Sequence, residues 1–147
     1  MDKTYSTSAR VRARRTAVQA CYQWLINQQP SADLIKEFES DRAELKKADK
    51  EYFSDLMEGI TRCSGELDDA IIPLLDRPLT EVNTVEHAIL MLAMYELIHH
   101  PELPWRIIVS EAVDLAKMFG AEQSYKYING VLDKAAHQVR ASETTMT

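Results

Sequence analysis

A glutamate and a histidine three residues apart, Glu96 and His99, have the spacing that places two metal ligands on one helix face. Di-iron bundles also need a second such pair and two more inward-facing carboxylates, and the chain contains no second Glu-x-x-His. The other histidines show no metal-ligand spacing, and Cys21 and Cys63 form no Cys-x-x-Cys. We therefore expect no metal site, and we predict that Glu96 is a buried or half-buried carboxylate satisfied by hydrogen bonds.

Motifs for catalysis are missing from the sequence. It contains no glycine-rich phosphate loop, no Gly-x-Ser-x-Gly and no His-Glu-x-x-His. Neither cysteine has the electropositive neighbours that activate a thiol, apart from Arg62 beside Cys63, so both are interpreted as packed or idle. We expect no catalytic residue and no cofactor.

Basic residues are concentrated at the N-terminus. Five of the 17 lysines and arginines stand in the first fifteen positions, against the single acidic residue Asp2, although the whole chain has a net charge of −6. This asymmetry suggests a polyanion contact at one end and an acidic surface for a basic partner elsewhere. A second mixed segment, Ser124-Tyr125-Lys126-Tyr127, combines rings and a cation as single-stranded nucleic acid sites do. Taken alone, each feature is better explained by solvated arginines and a core tyrosine.

The elements that would position these residues are helices. The chain has 147 residues, 46% hydrophobic and 27% charged, with only four glycines and five prolines, which favours one soluble all-α domain. We predict about seven helices, in one domain or in two small subdomains that share a core. The predicted segments are a first helix over 8–29 capped by Ser8, a short helix within 32–45, a third capped by Asp49, a turn from Gly65 to Ile72, a central helix from a Thr80 cap to His100, and helices over 107–119 and 122–140.

Apolar periodicity assigns the predicted core. The first helix is expected to bury Val11, Val18, Tyr22 and Leu25, and the central helix to be buried on most sides. The third helix has an apolar stripe made of Tyr52, Phe53, Leu56, Met57 and Ile60. Gly130, inside the last helix, is interpreted as a point of close helix–helix approach. No apolar segment is long enough to span a bilayer, no secretory signal is visible, and we expect a cytoplasmic protein.

The chain contains, in order, the segments ARVRARRTAVQACYQW, EYFSDLMEGI, LDDAII, VEHAILMLAMYEL, LPWRIIVSEAVDLAKMFG and YINGVLDKAA. Together they resemble the NusB family of bacterial transcription antitermination factors, over about residues 10–140. The resemblance implies an all-α fold of two small helical bundles packed side by side. We divide the chain into an N-terminal arm over 1–9, subdomains over 10–76 and 77–140, and a tail over 141–147. The arm and the tail are polar, and we expect both to be disordered.

The resemblance also implies partners. Family members bind boxA-type single-stranded RNA of ribosomal and phage leaders together with NusE, a small-subunit ribosomal protein, in a larger complex with other Nus factors and RNA polymerase. It implies RNA contacts from the N-terminal basic residues, the start of the central helix and the start of the last helix. The expected RNA-binding residues are Lys3, Arg10, Arg12, Arg14, His87, Glu122, Gln123, Lys126 and Tyr127, and the expected NusE surface includes Glu81 and Glu86.

Several positions depart from the family pattern, among them Arg12, an added charge, and Cys21, which replaces a usual leucine. Val11 and Met91 stand where an arginine is usual, and Arg15 replaces a usual glutamate. The number of positive charges is about the same as in the family pattern, but their positions differ. The resulting hypothesis is a non-enzymatic RNA-binding antitermination factor. Two alternatives stay open: a purely protein-interacting helical adaptor or homodimer that buries its basic face, and a metal-dependent bundle enzyme.

Overall fold

A computed structural model describes residues 7–41 and 48–145 of the chain, except for the side chain of Asp41. Within these ranges the protein is all-α, as predicted, with eight α-helices, two 3₁₀ turns and no strand. The helices are α1 Ser8–Asn27, α2 Ser31–Asp41, α3 Lys50–Arg62, α4 Ser64–Ile71, α5 Thr84–His99, α6 Trp105–Phe119, α7 Ser124–Val139 and α8 Ala141–Thr145. The 3₁₀ turns are Ile72–Leu74 and Leu79–Glu81.

Helix α1 buries small residues. Ala13, Ala17 and Cys21 are fully buried, while Tyr22, predicted to face the core, is 42% exposed. Val18 is buried as predicted, and Val11 and Leu25 are half-buried, so the apolar spacing identified part of the buried face. It missed the small residues, which let α1 lie close to α3 and α5. The cap also differs from the prediction, because the Thr7 hydroxyl, one residue before Ser8, accepts a hydrogen bond from the backbone N–H of Arg10 at 3.2 Å.

Helices α3 and α4 meet at Cys63. The predicted cap is confirmed, since the Asp49 carboxylate accepts the backbone N–H of Tyr52 at 2.9 Å, and the predicted apolar stripe of α3 is buried. The break between the helices falls at Cys63 rather than at Gly65, which lies inside the first turn of α4. Leu67 and Ile71 then anchor α4 in the core.

Helix α5 is the central element. Every residue from Ala88 to Leu97 is buried, as the sequence predicted. Its N-cap is Asn83, whose side chain accepts the backbone N–H of Val85 at 2.8 Å, and the predicted cap Thr80 lies in the preceding 3₁₀ turn. Helices α1, α3 and α4 contact α5, and so do α6 and α7, so the two helical groups share this helix as their common core.

The C-terminal segment is more ordered than predicted. Residues 141–145 form α8, although the sequence suggested a disordered tail from 141. Arg140, at the joint between α7 and α8, is buried and donates hydrogen bonds to the carbonyls of Leu97, His100 and Leu103 at 2.8–2.9 Å. These bonds satisfy free carbonyls at the end of α5 and fix the start of α8.

Two further predictions about α6 and α7 need correction. Helix α6 begins at Trp105, two residues before the predicted start. A Cβ at Gly130 would meet no atom within 4 Å, so this glycine does not mark a close helix–helix approach. None of the described helices combines the length and apolar character needed to cross a membrane.

Candidate nucleic-acid interface

Arg14 is not at the surface, in contrast to its predicted role as an RNA contact. Its side chain is 1% exposed, and its Nε donates to both carboxylate oxygens of Glu96, at 3.0 and 3.3 Å. The Tyr52 hydroxyl donates to the same carboxylate. Arg14 is therefore a buried structural residue that joins α1 to α5, and the expected satisfied carboxylate at Glu96 is found.

The surroundings of Arg14 keep its guanidinium protonated in the core. Burial on its own would lower the pKa of the Arg14 guanidinium, but the facing Glu96 carboxylate and Tyr52 outweigh it and raise the pKa above its usual value. The pKa of the Tyr52 phenol is raised first by burial and then by Glu96, so the phenol stays a hydrogen-bond donor. The network holds a cation in the core and does not offer it to a ligand.

The other N-terminal arginines retain some exposure. The Arg10 guanidinium lies 4.2 Å from the Tyr52 ring centroid and 3.8 Å from Asp49, with 28% of its side chain exposed. Arg12 is half-buried and has no ion pair among the described residues. Arg15, also half-buried, lines a small pocket together with Glu111 and Asp114. Lys3 lies outside the described residues.

The start of α7 forms the second candidate region. The buried Ser124 hydroxyl donates to Glu86 at 2.7 Å and thereby ties the start of α7 to the start of α5. Glu122, Gln123 and Lys126 are exposed next to this joint, as a contact surface requires. Gln123 occupies the N-cap position without a side-chain cap bond.

Tyr127 lies half-buried at the edge of this region. The Arg77 guanidinium lies over the Tyr127 ring, 4.3 Å from its centroid. The Tyr127 hydroxyl is buried and has no hydrogen-bond partner among the described residues. Burial raises the pKa of this phenol, and Arg77 partly opposes the shift. Tyr125 points elsewhere on α7 and lies 5.2 Å from the Lys117 ammonium, as expected for residues two apart on a helix.

Two basic residues near Tyr127, Arg77 and Lys134, were not among the predicted RNA contacts. A cavity of about 220 Å³ is lined by Tyr127, Lys126, Gly130, Lys134 and Asp76, the ion-pair partner of Arg77 at 2.8 Å. Lys126, Gly130 and Lys134 follow one another at four-residue steps, so they share one face of α7. The eight-residue separation of Lys126 and Lys134 could have predicted from the sequence that the two lysines share a helix face. The position of Arg77 could not be predicted, because it depends on how the 73–78 linker packs against α7.

His87 is paired rather than free. Its Nε2 lies 2.7 Å from a carboxylate oxygen of Asp68 on α4, and only 16% of its side chain is exposed. An RNA contact from His87 would have to share this ring with Asp68.

The predicted residues do not form one continuous patch. Arg14 and Arg10 lie towards the end of α5 that carries Glu96, and the α7 residues lie at the end that carries Glu86. The two glutamates are ten positions apart, which is about 15 Å along a helix axis. A ligand that touches both regions must therefore be extended.

The two glutamates expected at the NusE surface differ in availability. Glu81 is exposed, while Glu86 is half-buried and accepts the Ser124 hydroxyl. Val85, the chain neighbour of Glu86, lines an apolar groove of about 390 Å³ together with Tyr22, Ile26 and Phe119. Ile26 is 57% exposed. Sequence reasoning missed this groove because it placed Tyr22 in the core.

Comparison with known proteins identifies relatives along nearly the whole chain. Residues 11–137 match the model of the NusB family. A transcription antitermination protein NusB of Burkholderia cenocepacia is 44% identical over 137 residues, covering 93% of this chain and 94% of that protein. One from Hydrogenovibrio crunogenus is 41% identical over 146 residues, covering 99% and 90%.

Solved structures show the same fold. T. maritima NusB superposes with a TM-score of 0.78 at 29% identity, covering 90% of this chain and 93% of that one. A crystal structure of the antitermination factors NusB and NusE in complex with double-stranded RNA matches with a TM-score of 0.76 at 28% identity, covering 87% and 96%. The helices, their order and these matches lead to one conclusion: the chain belongs to the NusB family.

Proposed function

We propose that this protein is a non-enzymatic, RNA-binding transcription antitermination factor. It binds boxA-type single-stranded RNA of ribosomal operon leaders together with NusE, and so promotes read-through by RNA polymerase in the cytoplasm. Other Nus factors complete the assembly. Family membership supports the role, and the relative solved with NusE and RNA supports the choice of partners.

The observation that carries the proposal is the cluster of cations around Tyr127. Lys126 and Lys134 line one cavity with the ring, and Arg77 lies over it. Cations bind phosphates, and an aromatic ring or a guanidinium plane can stack on an unpaired base. Such a cluster on a chain of net charge −6 indicates a local polyanion site and not a generally basic surface.

The N-terminal arginines extend this site. Arg10 and Arg12 lie on the first turns of α1, at the other end of α5. The axial distance between the two regions is about 15 Å, the length of only a few nucleotides of single-stranded RNA. A short single strand is long enough to contact both.

We assign NusE to the groove whose lining includes Tyr22, Ile26, Val85 and Phe119. An exposed apolar groove whose described lining contains no lysine or arginine suits a protein partner better than RNA. Ile26 supplies exposed apolar area, and Glu81 and Glu86 remain the expected acidic contacts of the NusE surface.

The test of RNA binding compares a boxA RNA with a scrambled RNA of equal length, with and without NusE. We expect weak binding alone and much tighter binding with NusE, because few phosphates can be neutralised by this chain. With about three to five phosphate contacts, the slope of log K against log salt should be about −2 to −4. Lys126→Ala and Lys134→Ala should weaken binding, whereas Lys36→Ala, on exposed α2, should not. Equal affinity for both RNAs, or no salt dependence, would contradict the proposal.

The test of the NusE face uses Ile26→Lys, which places a cation in the apolar groove. We expect it to weaken NusE binding at least tenfold and to leave binding of RNA alone unchanged. Ile72→Lys is the matched control, because Ile72 is 47% exposed outside the groove. If Ile26→Lys instead dissociates a dimer of this chain and leaves NusE binding intact, the groove is a homodimer interface.

A further inference from the structure

Three side chains of different chemistry meet where the α3–α4 joint reaches the end of α5. They are Cys63, Glu66 and His99, and one potential ligand atom from each lies within 4.8 Å of the other two. We propose that these residues form a zinc-binding site. The site is separate from the residues assigned to RNA and to NusE.

The backbone brings these residues together from two packed helices. Cys63 caps α4 and Glu66 lies in its first turn, so the two are three residues apart and share a face. His99 is the last residue of α5. Leu67 anchors the start of α4 in the core, and Leu97 anchors the end of α5. The backbone positions of all three side chains are therefore held in place.

The imidazole of His99 is already oriented. Its ring stacks on Tyr95, with centroids 5.0 Å apart and planes at 28°. The Tyr95 hydroxyl in turn donates to Asp55 at 3.1 Å, which holds the supporting ring in place. His99 Nε2 lies 2.7 Å from Glu66 Oε1, so a metal ion would replace the hydrogen bond between these two groups. Neighbours that fix a ligating imidazole increase metal affinity.

The donor set suits zinc. A thiolate, an imidazole and a carboxylate are the three side-chain ligands of Zn²⁺, with bonds of about 2.0–2.3 Å. Two such bonds in a tetrahedral site place their ligand atoms about 3.6 Å apart, so 4.8 Å closes with movements of about 1 Å. Glu66 and His99 are exposed and Cys63 is half-buried, so their side chains have room for this adjustment.

The charge and the number of these side chains also suit a four-coordinate Zn²⁺ ion. The thiolate and the carboxylate together neutralise the two positive charges of the ion, and water would complete four-coordination. His99 lies at the C-terminal, negative end of the α5 dipole, which favours a cation beside it. The adjacent Arg62 opposes the ion, but it is exposed and its charge is screened by solvent and salt.

The test uses untagged, reduced protein from which metals have been removed by a chelator. Cobalt(II) is titrated in, and the thiolate-to-cobalt charge-transfer band in the near ultraviolet is recorded. We expect one equivalent of cobalt to produce the band and one equivalent of zinc to abolish it. Cys63→Ser should remove the band, and His99→Gln and Glu66→Gln should weaken binding at least tenfold. His137→Gln, with 56% of its side chain exposed on α7, and Cys21→Ala should bind as the unmodified protein does.

Thermal unfolding supplies a second readout. Zinc should raise the melting temperature by roughly 5 °C or more at a hundredfold excess over its dissociation constant, and should not do so in Cys63→Ser. Far-ultraviolet circular dichroism of each metal-free variant checks that the fold is retained. The proposal is overturned if no thiolate band forms, if the band persists in Cys63→Ser, or if His99→Gln binds cobalt as tightly as the unmodified protein.

Discussion

Arg14 illustrates how a charged residue becomes part of a core. Its guanidinium and the Glu96 carboxylate each lose their water, and they compensate one another at 3.0 Å while Tyr52 supplies a further donor. Removing one member of such a pair leaves the other charged and unpaired in a low-dielectric environment. The loss then exceeds the worth of the pair itself.

We therefore expect Arg14→Ala to lower the free energy of unfolding by about 3–5 kcal/mol. Urea denaturation measures the change, and Arg12→Ala, half-buried on the same helix, is the control that should change stability by less than about 1 kcal/mol. Unchanged stability together with a loss of RNA affinity in Arg14→Ala would restore the role expected from the sequence.

Tyr127 combines an unpaired buried hydroxyl with a ring covered by Arg77. We expect Tyr127→Phe to be neutral or slightly stabilising, since it removes a polar atom that has no partner. Tyr127→Leu keeps apolar volume but removes the stacking surface, and should weaken boxA RNA binding about tenfold, or about 1.4 kcal/mol. Parallel melting curves and RNA titrations, with Tyr125→Leu for comparison, separate stacking from packing. RNA affinity unchanged in folded Tyr127→Leu would remove Tyr127 from the RNA site.

At the scale of the element, two helical glycines have opposite surroundings. A Cβ at Gly59 on α3 would lie 2.1 Å from the Tyr95 ring, whereas a Cβ at Gly130 on α7 would meet nothing within 4 Å. The close approach of α3 to α5 therefore depends on Gly59, while Gly130 only adds backbone freedom to an otherwise regular helix.

We predict that Gly59→Ala destabilises the protein by about 1–3 kcal/mol through overpacking, despite the better helix propensity of alanine. Gly130→Ala should stabilise it by up to about 1 kcal/mol. Thermal or urea unfolding of the two variants decides the matter, and changes of the same sign would show that helix propensity outweighs the contact with Tyr95.

At the scale of the whole molecule, buried weak acids govern stability at high pH. Burial, assisted by Asp68, raises the pKa of the Cys21 thiol to about 12. Burial, assisted by Asp55, raises the pKa of the Tyr95 phenol to about 12. The unfolded chain releases these protons near pH 8.5 and pH 10 respectively, so between there and pH 12 the folded state binds more protons than the unfolded state.

The contribution of these two groups to the free energy of unfolding should therefore be fully present below about pH 8.5 and fall as the pH rises towards 12. Cys21 alone accounts for a loss of roughly 4 kcal/mol over this range. Urea midpoints measured from pH 8 to pH 10 in the presence of a chelator should fall less steeply in Cys21→Ala than in the unmodified protein, with Cys63→Ala as the control. An identical slope in Cys21→Ala would mean that the buried thiol does not contribute.

Local sequence patterns were sufficient to predict most of the helices and to recognise the family. The apolar stripe of α3, its Asp49 cap and the continuous burial of α5 follow from periodicity and side-chain chemistry within a few turns, so they could be predicted. The buried face of α1 was predicted only in part: Val18 is buried as expected, whereas Tyr22 is exposed and small residues such as Ala17 are buried by the close approach of neighbouring helices. That approach is not encoded in the local spacing of large apolar residues.

Only the tertiary structure decided which charged and polar residues meet. Arg14 and Glu96 are 82 positions apart in the chain, and Glu66 and His99 are 33 apart. Neither separation follows a helical period, so the sequence could not show that Arg14 is buried, nor that Cys63, Glu66 and His99 form a possible metal site. The position of Arg77 over Tyr127 likewise depends on how a proline-bounded linker folds against α7. Helices form from contacts three and four residues apart, whereas sites form where helices cross, and crossings are set by the packing of the whole core.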